Sequence, residues 1–179
     1  MNSQLSSLYT MTQSILSTQH LKQVLDLVTS ELAEAMQVQG TSVKFLDPQG
    51  RELRYGASFG LPERLTRESV IEVDKSAFNR RIIEGEPFVT GRMNEREMFQ
   101  FGEDLSAAGI QSVLFVPLRI EDRVIGILGA YCKKPDRFKE EEVEFFRLAA
   151  GLVAIAVENA RAYEAVENLN AERSRFMLR

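Results

Sequence analysis

The chain has 179 residues, 44% hydrophobic and 27% charged, proportions that disfavour a disordered or fibrous protein and fit one compact domain with extensions. Its 22 basic side chains against 26 acidic ones leave a net charge of -4, the wrong sign for a face that binds duplex nucleic acid. One cysteine, Cys132, excludes an internal disulfide, and with a single histidine, His20, it also removes the common zinc constellations. No apolar run reaches the roughly 18 residues of a membrane-spanning helix. The start, Met1 to Ser7, lacks the basic and apolar segments of a signal peptide. A soluble, cytoplasmic domain with no direct membrane insertion is expected, belonging to a longer protein.

The first 37 residues contain neither Gly nor Pro and read as helix. Leu21, Leu25, Val28, Leu32 and Ala35 recur at spacings of four and three, an apolar seam on one face. Leu5, Leu8, Thr12 and Ile15 make a weaker seam upstream, out of phase across Ser17 to His20. A kink or break is predicted there, with Thr18 as the N-cap of the second helix. From Gly40 the period falls to two, and Thr41–Leu46 and Arg51–Ala57 read as a hairpin closed by Asp47-Pro48-Gln49-Gly50. Glu68–Val73 is a third strand candidate. Ser76 opens a helix that stops at Gly85 with Pro87 just beyond. Phe88–Thr90 is a brief strand, and the segment from Gly91 reads as a loop running into a short helix that ends near Gly109.

Ile110–Ile120 and Val124–Cys132 form the strongest strand pair. Their centres are nearly all apolar, so both faces of the sheet should be covered. A long helix follows from about Lys139, with Glu140, Glu141 and Glu142 in its first turn, where negative charge meets the helix dipole. These carboxylates, like Glu95 to Glu97, read as solvated faces. Beyond Asn159 the apolar content thins to Tyr163, Val166 and Leu169, a seam narrow enough for a two-helix interface.

The stretch Ser112 to Tyr131, with its "VPL", tight turn and "VIG", resembles a GAF domain, the small-molecule sensing module of signalling proteins. The helix from Phe138 to Tyr163, ending A-x-E-N-A-R-x-Y, and Glu84-Gly-Glu-Pro-Phe88 are similar to the same family, in the same order. The resemblance runs from about Leu21 to Tyr163. It implies an α+β fold with a central antiparallel sheet of about six strands between two helical layers. Long N- and C-terminal helices would cover one face, and residues 76 to 109 would enclose a pocket on the other. The organisation expected is an N-terminal helical extension over 1–20, the GAF domain over 21–163 and a signalling helix over 164–179. Two departures from the family pattern are local: Lys139 stands where a capping Ser or Thr is common, and Asp122 must supply the tight turn. The run from Glu167 to Phe176 resembles the connector that leads into the dimerisation helix of a bacterial histidine kinase. That resemblance implies a covalently linked output domain and no phosphorelay chemistry in this segment.

Chemistry within the domain is not expected, and no catalytic residue, metal or cofactor is assigned. The GAF-type enzyme that reduces free methionine sulfoxide needs a second thiol to resolve its sulfenic acid, and Cys132 has none. It reads as a small core or rim residue. A bilin or haem would need a pocket cysteine or histidine, whereas His20 reads as a solvated residue at a helix start. The Lys133–Phe138 run matches the cyclic-nucleotide signature poorly, lacking its asparagine. Candidates for the pocket are Phe45, Phe59, Phe88, Phe99, Phe101 and Phe115, with Arg92 as an anion contact. Candidates for a homodimer seam are Leu5, Leu8, Ile15, Leu152, Tyr163, Val166 and Leu169. Three functions follow from the resemblance: a non-catalytic sensor that binds a small molecule, a structural dimerisation module with a vestigial pocket, or a cyclic-nucleotide-binding domain.

Overall fold

Two helices lead the chain, α1 (Asn2–Ser17) and α2 (Leu21–Met36), divided where the two apolar stripes fall out of phase. The structure, a computed structural model, describes residues 2–17, 20–67, 69–93 and 98–177. Thr18 and the group from Glu95 to Glu97 lie outside these residues. On α2 the spacing of three and four buries Val24, Leu25, Val28, Leu32 and Met36 together. The N-cap position is His20, exposed and without a capping side-chain hydrogen bond. Gln37 ends the helix in the left-handed region, its N–H donating to the Glu34 carbonyl while the Val38 N–H donates to that of Ala33, both at 3.1 Å.

The hairpin forms as the turn residues predict: β1 (Gly40–Leu46) and β2 (Glu52–Phe59) pair antiparallel. Asp47 closes the turn, its carboxylate accepting the backbone N–H groups of Arg51 and Glu52 at 2.6 and 2.9 Å. A short helix, α3 (Glu63–Thr66), follows, which the periodicity did not indicate. Then come β3 (Val70–Glu72), a 3₁₀ turn (Val73–Lys75), α4 (Ala77–Ile83), β4 (Phe88–Thr90), α5 (Gly102–Ala107), β5 (Ser112–Ile120) and β6 (Arg123–Cys132). The last element is α6 (Glu140–Met177), 38 residues long.

The strands form one six-stranded sheet in the order β3-β2-β1-β6-β5-β4, and every neighbouring pair is antiparallel. Alternation along the strands divides the side chains between two cores. Val43, Ala57, Leu114, Val116, Leu118, Leu128 and Ala130 pack under α1, α2 and α6. Leu53, Val113, Phe115, Ile127 and Tyr131 face the other way, toward α4, α5 and the loops around them. Each fully buried Leu or Val contributes roughly 1.5–3 kcal/mol relative to exposure, which explains why β5 and β6 read as almost continuous apolar runs.

Three local expectations are corrected. In the β5–β6 turn, Glu121 and not Asp122 takes the left-handed conformation, with a φ of 54°. The N-terminus of α6 is capped from within: Glu142 accepts the backbone N–H of Lys139 at 2.9 Å, the return half of a capping box. Glu142 is therefore no solvated carboxylate. It also accepts from Arg137 at 2.7 Å, while the same guanidinium donates to the Met36 carbonyl at 2.6 Å. Arg137 thus ties the end of α2 to the start of α6. Among the described residues, no helix is long and apolar enough to cross a membrane.

Candidate functional site

Strand β1 shows how the sheet divides its labour. Thr41, Val43 and Phe45 point to the helices, while Ser42, Lys44 and Leu46 point to the opposite face. Opposite Lys44 the register shifts: Val43 pairs with Ala57 and Lys44 with Tyr55, leaving Gly56 as the extra residue of a bulge. A Cβ at Gly56 would lie 2.4 Å from the Phe45 ring, so the bulge needs glycine there. The bulge sets Tyr55 beside Lys44. On β6, Gly129 leaves the room in which the Phe115 ring and the Ser42 hydroxyl sit, each 2.9 Å from where its Cβ would be.

These residues floor a cavity with a free volume of about 40 Å³. Lys44, Tyr55, Phe115 and Tyr131 form the floor, with Leu65, Ile71 and Leu105 at the sides. Phe78 and Asn79 of α4 and the segment from Phe99 to Phe101 roof it. Phe78 is the hub of the aromatic cluster, stacked on Phe88 at 4.3 Å and meeting Phe99 at 4.8 Å and Phe115 at 5.7 Å. Gln100 fastens the roof to the sheet edge: its carbonyl accepts from Glu72 N–H at 2.7 Å and its amide donates to the Val70 carbonyl at 3.1 Å. The Gln100 backbone N–H in turn donates to Ser76 Oγ at 3.2 Å.

Lys44 is 6% exposed, the only charged side chain buried among the described residues. Its ammonium lies over three rings, 4.5 Å from Phe115, 5.3 Å from Tyr55 and 5.7 Å from Tyr131. Burial lowers its pKa from the ordinary lysine value, and proximity to Tyr55 only partly opposes this. Burial also raises both tyrosines, Tyr131 to about 12, so both phenols stay neutral at physiological pH. The Tyr131 hydroxyl shares a 3.0 Å hydrogen bond with Ser42.

Of the residues singled out by sequence, Phe99, Phe101 and Phe115 line the cavity, and Phe88 backs it through its stack on Phe78. Phe45 does not: it lies on the helix face, with the Arg161 guanidinium 5.9 Å above its ring. Phe59, past the bulge at the end of β2, is 47% exposed. Arg92 turns outward to an exposed ion pair with Asp136. Lys44, Tyr55, Phe78 and Tyr131 were missed. Their signal was parity within the strands, above all a lysine in the middle of an otherwise buried strand. Cys132 is buried on the helix face, away from the cavity.

The helical seam also divides. Ile15 is buried inside the chain, and Leu8 and Leu152 pack half-buried against the same core. Leu5 is exposed, joined by Tyr9 and Leu16. On α6, Leu148, Leu152, Ile155, Asn159, Ala162, Val166, Leu169, Arg173 and Phe176 follow one another at alternating steps of four and three. Leu148, Ile155, Val166, Leu169 and Phe176 are all more than half exposed. Tyr163 flanks this stripe, one residue round the helix from it.

Residues 18–158 match the sequence profile of the GAF domain. No curated protein matches the chain significantly. Among solved structures, the chain is similar to the GAF domain of a phosphoenolpyruvate-protein phosphotransferase from Coxiella burnetii (23% identity over 91% of this chain and 97% of that one, TM-score 0.80). It is also similar to free methionine-R-sulfoxide reductase from Neisseria meningitidis (18% identity, 89% and 91% covered, TM-score 0.76). A third likeness is to a domain assigned to a two-component sensor histidine kinase of Sinorhizobium meliloti 1021 (22% identity, 83% and 97% covered, TM-score 0.65). Matched over most of its length by the profile and sharing the six-stranded fold, the chain belongs to the GAF family, whose domains are generally sensory or regulatory parts of signalling proteins.

Proposed function

We propose that this chain is a non-catalytic sensor module of a signalling protein, of the two-component histidine kinase kind. Its pocket takes a small molecule, and its terminal helices pair with those of a second copy. The observation that carries the proposal is the second half of α6. From Arg161 to Met177 every residue is exposed, a projection of about 25 Å at 1.5 Å per residue. Helical stability in proteins comes mostly from packing of an apolar face, and here Ala162, Val166, Leu169 and Phe176 fall at heptad spacing with Arg173 among them. Val166 and Leu169 occupy the positions that favour β-branched and Leu side chains in parallel two-stranded coils, and Asn159 is the polar residue that fixes register.

A chain of contacts between the pocket side and the helices supports the proposal. The loop after β4 docks on the segment before α6: the Asp136 N–H donates to the Gly91 carbonyl at 2.7 Å. Next along the chain, Arg137 holds both Met36 and Glu142. Movement of the pocket-side loops would reach the end of α2 and the start of α6 through these contacts, biasing a two-state helical dimer. The likeness to the sensor-kinase domain and the 167–176 connector support a kinase as the parent protein. No chemistry is assigned to Cys132, because a sulfenic acid formed there has no second thiol in the sequence to resolve it.

Sedimentation of the chain beside a Val166→Glu/Leu169→Glu variant tests the pairing. The parent should sediment as a dimer, and the variant should dissociate with at least about a tenfold weaker Kd, equivalent to about 1.4 kcal/mol. A variant that sediments as the parent does would remove the seam, and with it the route for a signal.

A further inference from the structure

We infer that the pocket is a receptor for a small monocarboxylate, held by the Lys44 ammonium with its short apolar tail against Phe78, Phe99 and Phe115. The inference rests on the sensor proposal and names its ligand class.

Lysine usually keeps its charge in water by extending its stem to the surface. Lys44 cannot, because it springs from the middle of β1 beneath the roof formed by α4 and residues 99–101. It faces the cavity, whose lining holds no carboxylate, and the contacts of its ammonium there are the faces of Phe115, Tyr55 and Tyr131. Ring faces satisfy an ammonium only in part, and a buried charge otherwise needs a counter-charge. Several neighbouring polar groups are already engaged: Ser42 with Tyr131, Ser76 with the Gln100 backbone, the Gln100 amide with β3 and the Asn79 amide with the Val73 carbonyl. None of the lining residues carries a negative charge at neutral pH, so a ligand anion would supply the counter-charge. One cation with no arginine beside it in the lining suits a single negative charge, which favours a carboxylate over a phosphate. The free volume of about 40 Å³ corresponds to about three water molecules at ~10–15 Å³ each, which sets the scale at acetate to butyrate. Burial alone lowers the Lys44 pKa, and an anion bound beside the ammonium would oppose that shift.

The test titrates the whole chain with acetate, propionate and butyrate at constant ionic strength, and with propionamide as the neutral isostere of propionate. Melting temperature and the ¹³Cε resonance of Lys44 are followed in the parent, and melting temperature in Lys44→Met. Saturating propionate should raise the parent's melting temperature by at least about 3 °C and shift the Lys44 resonance, while propionamide should do neither. Lys44→Met should melt above the parent without additive and ignore the carboxylates. If it fails to fold, the Lys44 resonance in the parent decides. Equal responses to amide and acid, or a propionate response that survives in Lys44→Met, would overturn the anion receptor and leave a sensor pocket of another specificity. No response to any carboxylate in either readout would also overturn it. Failure of the sensor proposal looks different: carboxylate binding would persist while the parent sedimented as a monomer.

Discussion

On the helix-covered face of the sheet, Val43, Leu114, Val116 and Leu128 meet α2 and α6 in a core with no buried charge among the described residues. On the other face, residues of the same strands, Phe115 and Tyr131, border unfilled space and the Lys44 ammonium. The backbone is shared, so neither strand propensity nor register separates the two faces. What separates them is polarity and packing. The first face meets the ordinary requirements of a folded core, with each apolar side chain opposite another. The second breaks them at one point, and a local breach of packing rules is most often found where a protein binds something.

The sharpest way to break this comparison is to move the charge by one residue. Val43→Lys would place an unpaired ammonium in the dry core under α2, at a position that is fully buried. It should destabilise the domain by more than about 4 kcal/mol, read as a collapsed urea midpoint or loss of cooperative melting. Lys44→Met, one residue along the strand, has the opposite sign. If Val43→Lys unfolded near the parent's midpoint, the two faces would not differ as described.

A smaller effect belongs to the junction between the faces. Burial alone would raise the Glu142 carboxyl, but the hydrogen bonds from Arg137 and from Lys139 N–H outweigh it and hold the group below its ordinary value of 4.5. A carboxyl lowered on folding stabilises above its unfolded pKa, and that stability is lost as pH falls through the folded value. Glu142→Gln should therefore cost about 1 kcal/mol at neutral pH and flatten the loss of stability below 4.5. Urea midpoints measured across pH 3 to 7 check this. Parallel curves for variant and parent would mean that Arg137 does not fasten α2 to α6 through this carboxylate.

The strands were legible because period-two patterns and the Pro-Gly turn depend on neighbouring residues only. So was the covering of both faces, from the unbroken apolar runs of β5 and β6. The pocket was legible only in part. Choosing aromatic residues by type found Phe99, Phe101 and Phe115, but Phe45 fell on the wrong side because parity decides the face, and Phe59 because the bulge at Gly56 resets the phase. A bulge comes from long-range pairing and leaves only a glycine in the sequence. Arg92 looked free until the distant Asp136 came beside it. Ile15 and Leu5 lie on one short helix that carries two apolar stripes, and which one stays inside depends on α2 and α6.

The central claim is that one face of the sheet receives a ligand while the stripe on α6 carries the response to a second copy. Disulfide cross-linking between copies tests it most directly, comparing Ala162→Cys on the stripe with Glu164→Cys on the far side of the helix. Pairing predicts fast cross-linking at 162, slow cross-linking at 164, and a rate at 162 that changes when propionate is added. Equal rates at the two positions, or a rate at 162 indifferent to every ligand that binds the pocket, would contradict it.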